Sequence, residues 1–449
     1  MKTNLLESQT VKKSFFQYLI PSLIGMSLMS VNIIIDGVFV GHGVGSVALA
    51  SVNVATPMYS VFLSIGLLIG VGGGALYSMA MGQGEQRTAQ EIFTNSFKIA
   101  SVGTILVSVF SYLFLEEIAV LFGANADTMT YVKEYILVLL LFSLFMVWES
   151  VLSVFVRNDG SPTLAMAGLV VTAAVNIVLD YWMIFILKWE VVGAALASVI
   201  AIVVGLLVLL IHFWSKTNQL KFISSTMKIK EVTRIVTVGF PSFLSEAGLA
   251  TFIVGYNIVM AIYAGTAGLA AFSVINYLHF FMFLVFQGIG AAIQPMISYY
   301  YGASGFNRMK SSVLLAEKSA LFFGILSLCI GFFAAPQLVA LFGITSAEIV
   351  DLAVIGIRLF FISYLFMGFN FIYMTYFQSI GYMKPAIWIT LFRHFIIFIP
   401  VLVVLPLLFG VVGIWLILPV SEFLMAMVLI FFARRGVAGK LATVKEIND

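Results

Sequence analysis

The chain contains few charged residues and almost no cysteine or histidine. Of its 449 residues, 10% are charged and 62% are hydrophobic, with one cysteine, Cys329, and four histidines. A soluble domain of this length carries far more charge, so the composition excludes that class. A single cysteine excludes an internal disulfide framework and a cysteine-based metal site. The net charge of +3 is dispersed along the chain and indicates no nucleic-acid partner.

Long apolar runs are what the chain has instead. Runs of about 18 or more apolar residues are typical of transmembrane helices, and the alternating segments of a transmembrane β-barrel are absent. The first run, from Ser14 to about Val40, is too long for the apolar core of a cleaved signal peptide. The pattern predicts an all-α integral membrane protein with twelve transmembrane helices, at 14–40, 48–77, 93–115, 131–156, 162–187, 192–214, 235–262, 268–300, 312–335, 350–377, 385–409 and 412–434.

Lysine and arginine are unequally distributed between the two sides of this map. The side that holds the termini carries Lys12, Lys13, Arg87, Arg157, Lys216, Lys221, Lys228, Lys230, Arg234, Arg308, Lys310, Lys384, Arg434, Arg435 and Lys440. The opposite side keeps only Lys133, Lys188 and Arg358 near its boundary. Because cytoplasmic loops are enriched in lysine and arginine, we expect both termini and the 215–234 link to be cytoplasmic.

Sequence landmarks recur about 220 residues apart and indicate an internal duplication. Four pairs share this offset: Pro21 with Pro241, Gly82 with Gly302, LFG at 121–123 with LFG at 341–343, and VVGAAL at 191–196 with VVGIWL at 411–416. Gly160 and Gly381 are 221 apart, which indicates one inserted residue. Such repeats, with substrates and ions held between or within them, are common in secondary transporters.

Each half of the duplication contains six predicted helices, so both halves enter the membrane from the same side. They are therefore expected to be parallel repeats. We expect an N-lobe of helices 1–6 at residues 1–214, a cytoplasmic linker at 215–234 and a C-lobe of helices 7–12 at 235–449.

Two aspartates lie inside apolar helices, each with an asparagine four residues before it. Asn32 and Asp36 share one face of helix 1, and Asn176 and Asp180 share one face of helix 5. An ionisable group in the hydrocarbon region is costly and usually marks the path of an ion or a substrate. With the Ser198 hydroxyl of helix 6, these residues predict an oxygen-lined coupling site for a proton or for Na⁺. In the second case, Asp36, Asn176 and Asp180 would hold the ion.

The duplication favours a coupling site in the first six helices. Asp36 corresponds to Tyr256 and Asn32 to Phe252, so the second half lacks these polar groups. A feature needed only by the scaffold would be expected in both halves. The alternative is that each aspartate lies near the outer surface of the membrane and is simply hydrated.

Further polar residues inside predicted helices are candidates for a secondary polar site or a substrate site. They are Glu149, Glu246 and His279, with Glu422 as a weaker candidate. Glu149 corresponds to Asn370 in the repeat, so an interhelical hydrogen bond is an equally good interpretation. Glu246 could meet a cationic substrate. Arg393 and His394 are within reach of the cytoplasmic face, where we expect their side chains to snorkel into water.

At three places the chain resembles the multidrug and toxic compound extrusion (MATE) family. These are IPSLIGMSLMSVNIIIDGVFVGHGVGSVALASVNVA at 20–55, the Asn-x-x-x-Asp pair of helix 5, and GFPSFLSEAG at 239–248. The resemblance extends over essentially the whole chain and is closest to the bacterial DinF-like branch that includes the MepA-type drug exporters. In this resemblance Asp36 matches the family's helix 1 aspartate, and Asn176 and Asp180 match its helix 5 pair. Ser198 stands where helix 6 sometimes supplies a threonine.

The resemblance implies an antiporter that expels organic cations and other amphipathic drugs with an inward H⁺ or Na⁺ gradient. We expect a multi-pass protein of the bacterial cell membrane (the inner or plasma membrane) that acts as a monomer, without enzymatic activity and without a cofactor other than the coupling ion. One alternative is a lipid-linked oligosaccharide flippase of the same wider superfamily. A flippase should place several cationic residues in its cavity, whereas most of these residues lie at the cytoplasmic helix ends. A membrane-embedded enzyme would need a metal or nucleophile constellation, which four scattered histidines and one cysteine do not supply.

Overall fold

The computed structural model describes residues 5–344 and 346–434, and both ranges are helical almost throughout, without a β-strand. Within these ranges, ten helices are long and apolar enough to cross a membrane. Two of the ten are interrupted by a glycine with a positive φ angle, Gly265 at 55° and Gly410 at 56°, so each comprises two spans. The expected all-α fold with twelve transmembrane helices is therefore confirmed.

The twelve helices follow the predicted order. They are α1 Val11–Gly43, α2 Ser46–Gly82, α3 Gln86–Leu113, α4 Met129–Asn158, α5 Pro162–Asp180, α6 Glu190–Leu210, α7 at 229–264, α8 at 266–302, α9 Phe306–Phe333, α10 Ala347–Ser379, α11 at 383–409 and α12 at 411–434. Most differences from the predicted bounds are at helix ends, because polar residues continue several helices beyond the apolar run. Helix α3, for example, begins at Gln86 rather than at residue 93.

Short helical segments adjoin or interrupt these spans. Separate short helices are Leu5–Ser8, Leu115–Leu121 and Ala335–Ala340. Two π-helical turns occur, Tyr181–Ile186 directly after α5 and Phe392–Ile396 within α11. The 3₁₀ turns are Ile211–Trp214 after α6 and Phe361–Ser363 within α10. π-Helical turns are rare in proteins, and those that occur are often found at functional sites. Both of these begin next to a buried ionisable residue, Asp180 in the first case and Arg393 in the second.

The internal duplication is also visible in the backbone conformation. Residues with a positive φ angle occur in corresponding pairs: Gly45 and Gly265, Gly84 and Ser304, Gly123 and Gly343, Gly160 and Gly381, and Glu190 and Gly410. Four of these pairs are 220 residues apart, and the fourth in chain order is 221 apart. Among the described residues, Lys188 is the one positive-φ residue without such a partner. Positive φ is costly for residues other than glycine, so its recurrence at corresponding turns supports two copies of one scaffold.

The described residues belong to two compact units. The first unit contains Met1–Glu246, Gln287–Val313 and Tyr376–Met383, and the second contains Ala247–Phe286, Leu314–Thr375 and Lys384–Asp449, of which 1–4, 345 and 435–449 are outside the described ranges. These units divide the chain differently from lobes at 1–214 and 235–449, because parts of α7, α8 and α10 pack with the first six helices. The lobe boundaries follow from the sequence repeat and stay a prediction.

Inside the first unit, α2 and α8 cross with their backbones in contact. A Cβ atom at Gly82 would collide with the carbonyl oxygen of Tyr299, and a Cβ atom at Gly302 would collide with that of Met79. Gly82 and Gly302 are 220 residues apart, and so are Met79 and Tyr299, so the contact is the same from either helix. Gly72 meets the carbonyl oxygen of Ile235 on α7 in the same way. Small residues that allow such close approach are a common means of packing membrane helices.

The link between α6 and α7 is extended and lies against α3 of the first unit. The Phe222 ring contacts the ring of Phe93 with centroids 4.7 Å apart. The Ser225 hydroxyl donates to Asn95 Oδ1 at 2.7 Å, and the Ile223 amide donates to the Thr94 hydroxyl at 3.1 Å. The longest polar segment of the described chain is therefore held along a helix.

Candidate functional site: a carboxyl pair between α1 and α5

Helices α1 and α5 bring the two intramembrane aspartates together in the first unit. The carboxyl groups of Asp36 and Asp180 are within hydrogen-bonding reach of one another. Asp180 is completely buried, and Asp36 is partly buried. On α5, Asn176 lies close to Asp180, and its Nδ2 donates to the Ser198 hydroxyl of α6 at 3.3 Å. The geometry thus groups four of the five residues proposed from the sequence.

The fifth residue, Asn32, lies one turn before Asp36 on α1. Its Oδ1 atom is buried and has no hydrogen-bond donor in the described chain. Asp180 is completely buried, which argues against hydration of its side chain, whereas Asp36 is only partly buried.

The oxygens of this pair lack donors from the protein. Asp36 Oδ1 and both carboxyl oxygens of Asp180 are buried without a donor among the described residues. Two charged carboxylates at this distance repel each other strongly where the dielectric constant is low. A proton or a cation between them removes that repulsion, because one oxygen then donates or both coordinate the ion. The arrangement can therefore hold one positive charge, and its energy depends on whether that charge is present.

The atoms of this site that could coordinate a cation are all oxygens. Carboxylates, an amide oxygen and a hydroxyl are ligands suited to a hard cation such as Na⁺, as well as to a proton. The described residues contain no group of three or more His, Cys, Asp or Glu side chains that could hold a metal ion. The two carboxylates and the neutral oxygens around them supply negative charge and ligand atoms for a proton or for a small hard cation.

Two tyrosines complete the polar surroundings and were missed from the sequence. The Tyr135 hydroxyl of α4 is within hydrogen-bonding reach of Ser198 and interacts electrostatically with Asp36 and Asp180. Tyr59 of α2 interacts electrostatically with Asp36. The chain has 17 tyrosines, most of them in apolar runs. No local pattern distinguishes these two, so only helix packing identifies them.

The three secondary candidates do not form one group. Glu149 and Glu246 are both in the first unit, where each interacts electrostatically with Tyr59. Glu149 Oε1 is buried without a donor in the described chain. His279 is in the second unit, where its ring is stacked on Tyr364 with centroids 6.0 Å apart. Glu149 and Glu246 therefore extend the acidic surroundings of Asp36, whereas His279 belongs to an aromatic cluster.

The prediction that Arg393 snorkels to the cytoplasmic face is wrong. Arg393 is buried in the second unit, where its Nε donates to Glu422 Oε1 at 2.6 Å. The guanidinium group also lies over the Phe371 ring, 5.5 Å from its centroid. The sequence did contain a signal for this pair, because Arg393 and Glu422 lie in two otherwise apolar runs of the same half. The attraction between the two buried charges compensates for the hydration that the arginine would have at the membrane surface.

Twelve spans in two six-helix repeats, with an oxygen-lined carboxyl pair inside the first, define a membrane protein of the secondary-transporter class. The model of the MatE family matches the chain twice, at residues 21–182 and 241–404, one match in each half. The chain belongs to the MatE family, and it is a transporter-type protein rather than an enzyme. The two matches begin 220 residues apart, in agreement with the duplication seen in the sequence and in the backbone.

Several relatives are similar to the chain over nearly its whole length. The multidrug export protein MepA of Staphylococcus saprophyticus is 29% identical over 440 residues, which is 95% of each chain. MepA of Staphylococcus haemolyticus is 27% identical over 448 residues, or 98% of each chain. MepA of Staphylococcus aureus strain N315 is 27% identical over 429 residues, covering 94% of this chain and 93% of the relative.

Solved structures share the fold. A multidrug resistance MATE family transporter of the MOP superfamily in an outward-facing conformation superposes with a TM-score of 0.91 over 98% of both chains, at 22% identity. A MOP superfamily transporter from Pyrococcus furiosus, described as having a binding pocket of reverse polarity, superposes with a TM-score of 0.88 over 98% of both chains, also at 22% identity. At this level of identity the likeness shows the fold alone.

Proposed function

We propose that the protein is a cation-coupled antiporter that exports drugs and other toxic organic compounds, with Asp36 and Asp180 as its coupling site. The observation that carries the proposal is the pair of facing carboxyl groups, of which three oxygens are buried without a donor among the described residues. Such a pair is stable when it holds a proton or Na⁺ and costly when both groups are charged and dry. An inward ion gradient can therefore drive it between two states.

The substrate class follows from the relatives and from the acidic surroundings. The three MepA proteins are named for multidrug export, and this chain matches them over nearly their whole length. Glu149 and Glu246 add negative charge near the coupling pair, and Tyr59 adds an aromatic ring. Carboxylates and aromatic faces attract organic cations through charge and cation–π contacts. We propose amphipathic organic cations as the main substrates.

A lipid-linked oligosaccharide would require a different surface. Its pyrophosphate calls for several cationic side chains, whereas the groups that act on Asp36 and Asp180 are acidic or neutral. The antiporter is therefore the function that the site supports best.

Movement of α1 would couple the ion to the substrate. Pro21 lies inside α1 and removes one main-chain hydrogen bond from the helix. Gly37, next to Asp36, has open space around the position of a Cβ atom, whereas Gly25 is packed against Leu169 of α5. Proline and glycine are usual places for a helix to bend. Bending of α1 would separate Asp36 from Asp180, admit water or a cationic substrate, and so link release of the ion to binding of the drug.

The orientation and assembly state belong to the same proposal. We propose that the 215–234 link faces the cytoplasm of a bacterial cell and that the protein works as a monomer in its cell membrane. The segments 1–4 and 435–449, on which part of the expectation for the termini rests, lie outside the described residues. A cysteine introduced at Thr226 should resist a membrane-impermeant thiol reagent in intact cells and react after the cells are opened.

The deciding experiment uses Asp36→Asn in reconstituted vesicles with an imposed pH gradient or an imposed Na⁺ gradient. The variant keeps the size and polarity of the side chain but cannot carry its charge, so efflux of an organic cation should be lost with normal insertion and folding. Asp127→Asn is the matched control, because Asp127 is exposed in a loop. Normal efflux by well-folded Asp36→Asn protein would refute the coupling role of Asp36. The gradient that drives wild-type efflux identifies the coupling ion.

A further inference from the structure

The described part of the second half contains one buried ion pair, and its carboxylate is held from two sides. Arg393 donates from Nε to Glu422 Oε1 at 2.6 Å, and Asn370 donates from Nδ2 to Glu422 Oε2 at 2.7 Å. The same Asn370 nitrogen donates to the main-chain carbonyl of Glu422 at 2.9 Å. The side chains of Arg393 and Glu422 are 4% and 2% exposed. Both oxygens of this carboxylate therefore have a donor, in contrast to both oxygens of Asp180.

The arginine comes from a helix position that corresponds to the coupling face of α5. With the 221-residue offset, Arg393 corresponds to Thr172, which lies one turn before Asn176 and two turns before Asp180. The π-helical turn Phe392–Ile396 surrounds it in α11. The first half thus presents oxygen atoms from this face, whereas the second half presents a guanidinium group.

We propose that Glu422 forms a second cation site of the transporter and that Arg393 occupies it as a tethered cation. The guanidinium is covalently attached and cannot leave with a solute, so the second half takes up no coupling ion. Coupling is thereby confined to the pair on α1 and α5. The inference rests on the proposed function only in taking that pair as the coupling site.

The surroundings of Glu422 fit a site built for one positive charge. A small cavity beside it is lined by Phe252, His279, Phe283, Arg393, His394 and Phe398, among others. Arg393 Nη1 is buried without an acceptor in the described chain, so one Nε bond carries the ion pair. The other walls are aromatic or aliphatic, and such walls tolerate a neutral group, or a guanidinium over an aromatic ring, better than an unpaired carboxylate.

Removal of the arginine should therefore leave a buried carboxylate that needs another cation. A proton is the smallest replacement, and acidification supplies it. In Arg393→Gln the folded state would bind a proton at Glu422 that the unfolded chain releases at the same pH. Stability should then rise as the pH falls. The wild-type protein, with the guanidinium in place, should lack this dependence.

The contribution of Glu422 to the pH dependence must be distinguished from that of other titratable groups near the cavity. They are Tyr256 on α7, His279 on α8, Tyr364 on α10 and His394 on α11. Compared with Arg393→Gln, the double variant Arg393→Gln/Glu422→Gln keeps all of these groups and removes only the Glu422 carboxylate. Arg308→Gln is a second control, because Arg308 donates to the main-chain carbonyls of Leu6, Glu7 and Gln9 rather than to a carboxylate.

The experiment measures the apparent melting temperature of purified protein in detergent between pH 5.5 and pH 8.5. Relative to the wild type, Arg393→Gln should gain roughly 2–5 °C on acidification. Arg308→Gln should show the wild-type dependence. The double variant has lost the same positive charge beside His279 and His394, so it controls for that loss and should lack the gain that depends on Glu422. A pH dependence of Arg393→Gln that equals the wild type, or that persists in the double variant, overturns the proposal. So does failure to recover Arg393→Gln as folded protein even at pH 5.5, since a proton should replace the guanidinium there.

This readout does not require transport. If Asp36→Asn still exported drug, the coupling role of the first half would fail while the melting curves could still establish a cation site at Glu422. If instead the melting curves failed and Asp36→Asn abolished efflux, the tethered-cation role of Arg393 alone would be refuted.

Discussion

The two halves of the protein share a scaffold but differ in what they place at corresponding positions. Where α1 carries Asn32 and Asp36, α7 carries Phe252 and Tyr256. Tyr256 is stacked on the Phe272 ring at 4.9 Å, and its hydroxyl accepts a hydrogen bond from the main chain of α12. One repeat therefore contains a carboxyl pair in which three buried oxygens lack a donor from the described residues, and the other contains a packed aromatic cluster.

The charged sites of the halves differ in the same sense. In the proposed function the Asp36–Asp180 pair takes its positive charge from outside the protein, whereas Glu422 has one supplied by Arg393. A site completed by the protein's own groups gains stability and loses the ability to exchange ions. A site left incomplete costs stability and can respond to an ion gradient. The two repeats thus share the helical scaffold and differ in the charged groups that they bury, and the proposed function depends on this difference.

The largest expected effect is on transport, at the incomplete site. Asp180→Asn should reduce gradient-driven efflux severely, because one remaining carboxyl group no longer forms the pair that holds the coupling ion. Glu149→Gln should reduce it much less, since Glu149 adds charge from outside the pair. Initial rates of organic-cation efflux in vesicles measure both variants. Equal losses of efflux in the two variants would contradict a specific coupling role of the Asp36–Asp180 pair.

The next effect is on stability, at the completed site. Glu422→Gln leaves the buried Arg393 without its counter-ion, and breaking a buried ion pair costs about 3–5 kcal/mol. Replacement of both residues with methionine should recover much of this loss, because an apolar pair leaves no buried charge. Thermal unfolding of the three proteins provides the comparison. A single variant as stable as the wild type would contradict the buried ion pair.

The shared scaffold should respond equally from either half. Gly82→Ala and Gly302→Ala each force a Cβ atom against a main-chain carbonyl of the opposite helix, at an expected cost of about 1–3 kcal/mol each. Gly103→Ala is the control, since nothing lies within 4 Å of its Cβ position. Melting temperatures should fall by similar amounts in the first two variants and not in the third. A large difference between Gly82→Ala and Gly302→Ala would break the symmetry of this crossing.

The smallest effect is expected at the hydroxyl next to the coupling pair. Ser198→Ala removes the acceptor of the 3.3 Å hydrogen bond from Asn176. Loss of one such bond is worth about 1 kcal/mol, or roughly a five-fold change in the apparent affinity for the coupling ion. The ion concentration that gives half-maximal efflux should rise by that factor, with an unchanged maximal rate. Ser198→Thr, which keeps the hydroxyl, should remain close to the wild type.

Local sequence patterns predicted much of the fold and part of the site. The twelve spans followed from apolar runs, and the duplication followed from proline and glycine at a constant spacing. Asn32, Asp36, Asn176 and Asp180 could be proposed because each Asn–Asp pair lies one turn apart on a single helix. Residues such as Tyr59 and Tyr135 could not, because a tyrosine in an apolar helix faces lipid, protein or a cavity depending on its neighbours.

The amino-acid sequence by itself determined the helices, their number and the duplication, because these depend on short-range hydrophobicity and on backbone preferences of glycine and proline. Only the tertiary structure decided which charges meet. Asp36 and Asp180 are 144 positions apart in the chain, and Arg393 and Glu422 are on different helices. Inside a membrane protein the energy of a charge depends mainly on its nearest neighbours in space. Packing therefore left one carboxyl pair open to a cation and closed the other carboxylate with an arginine.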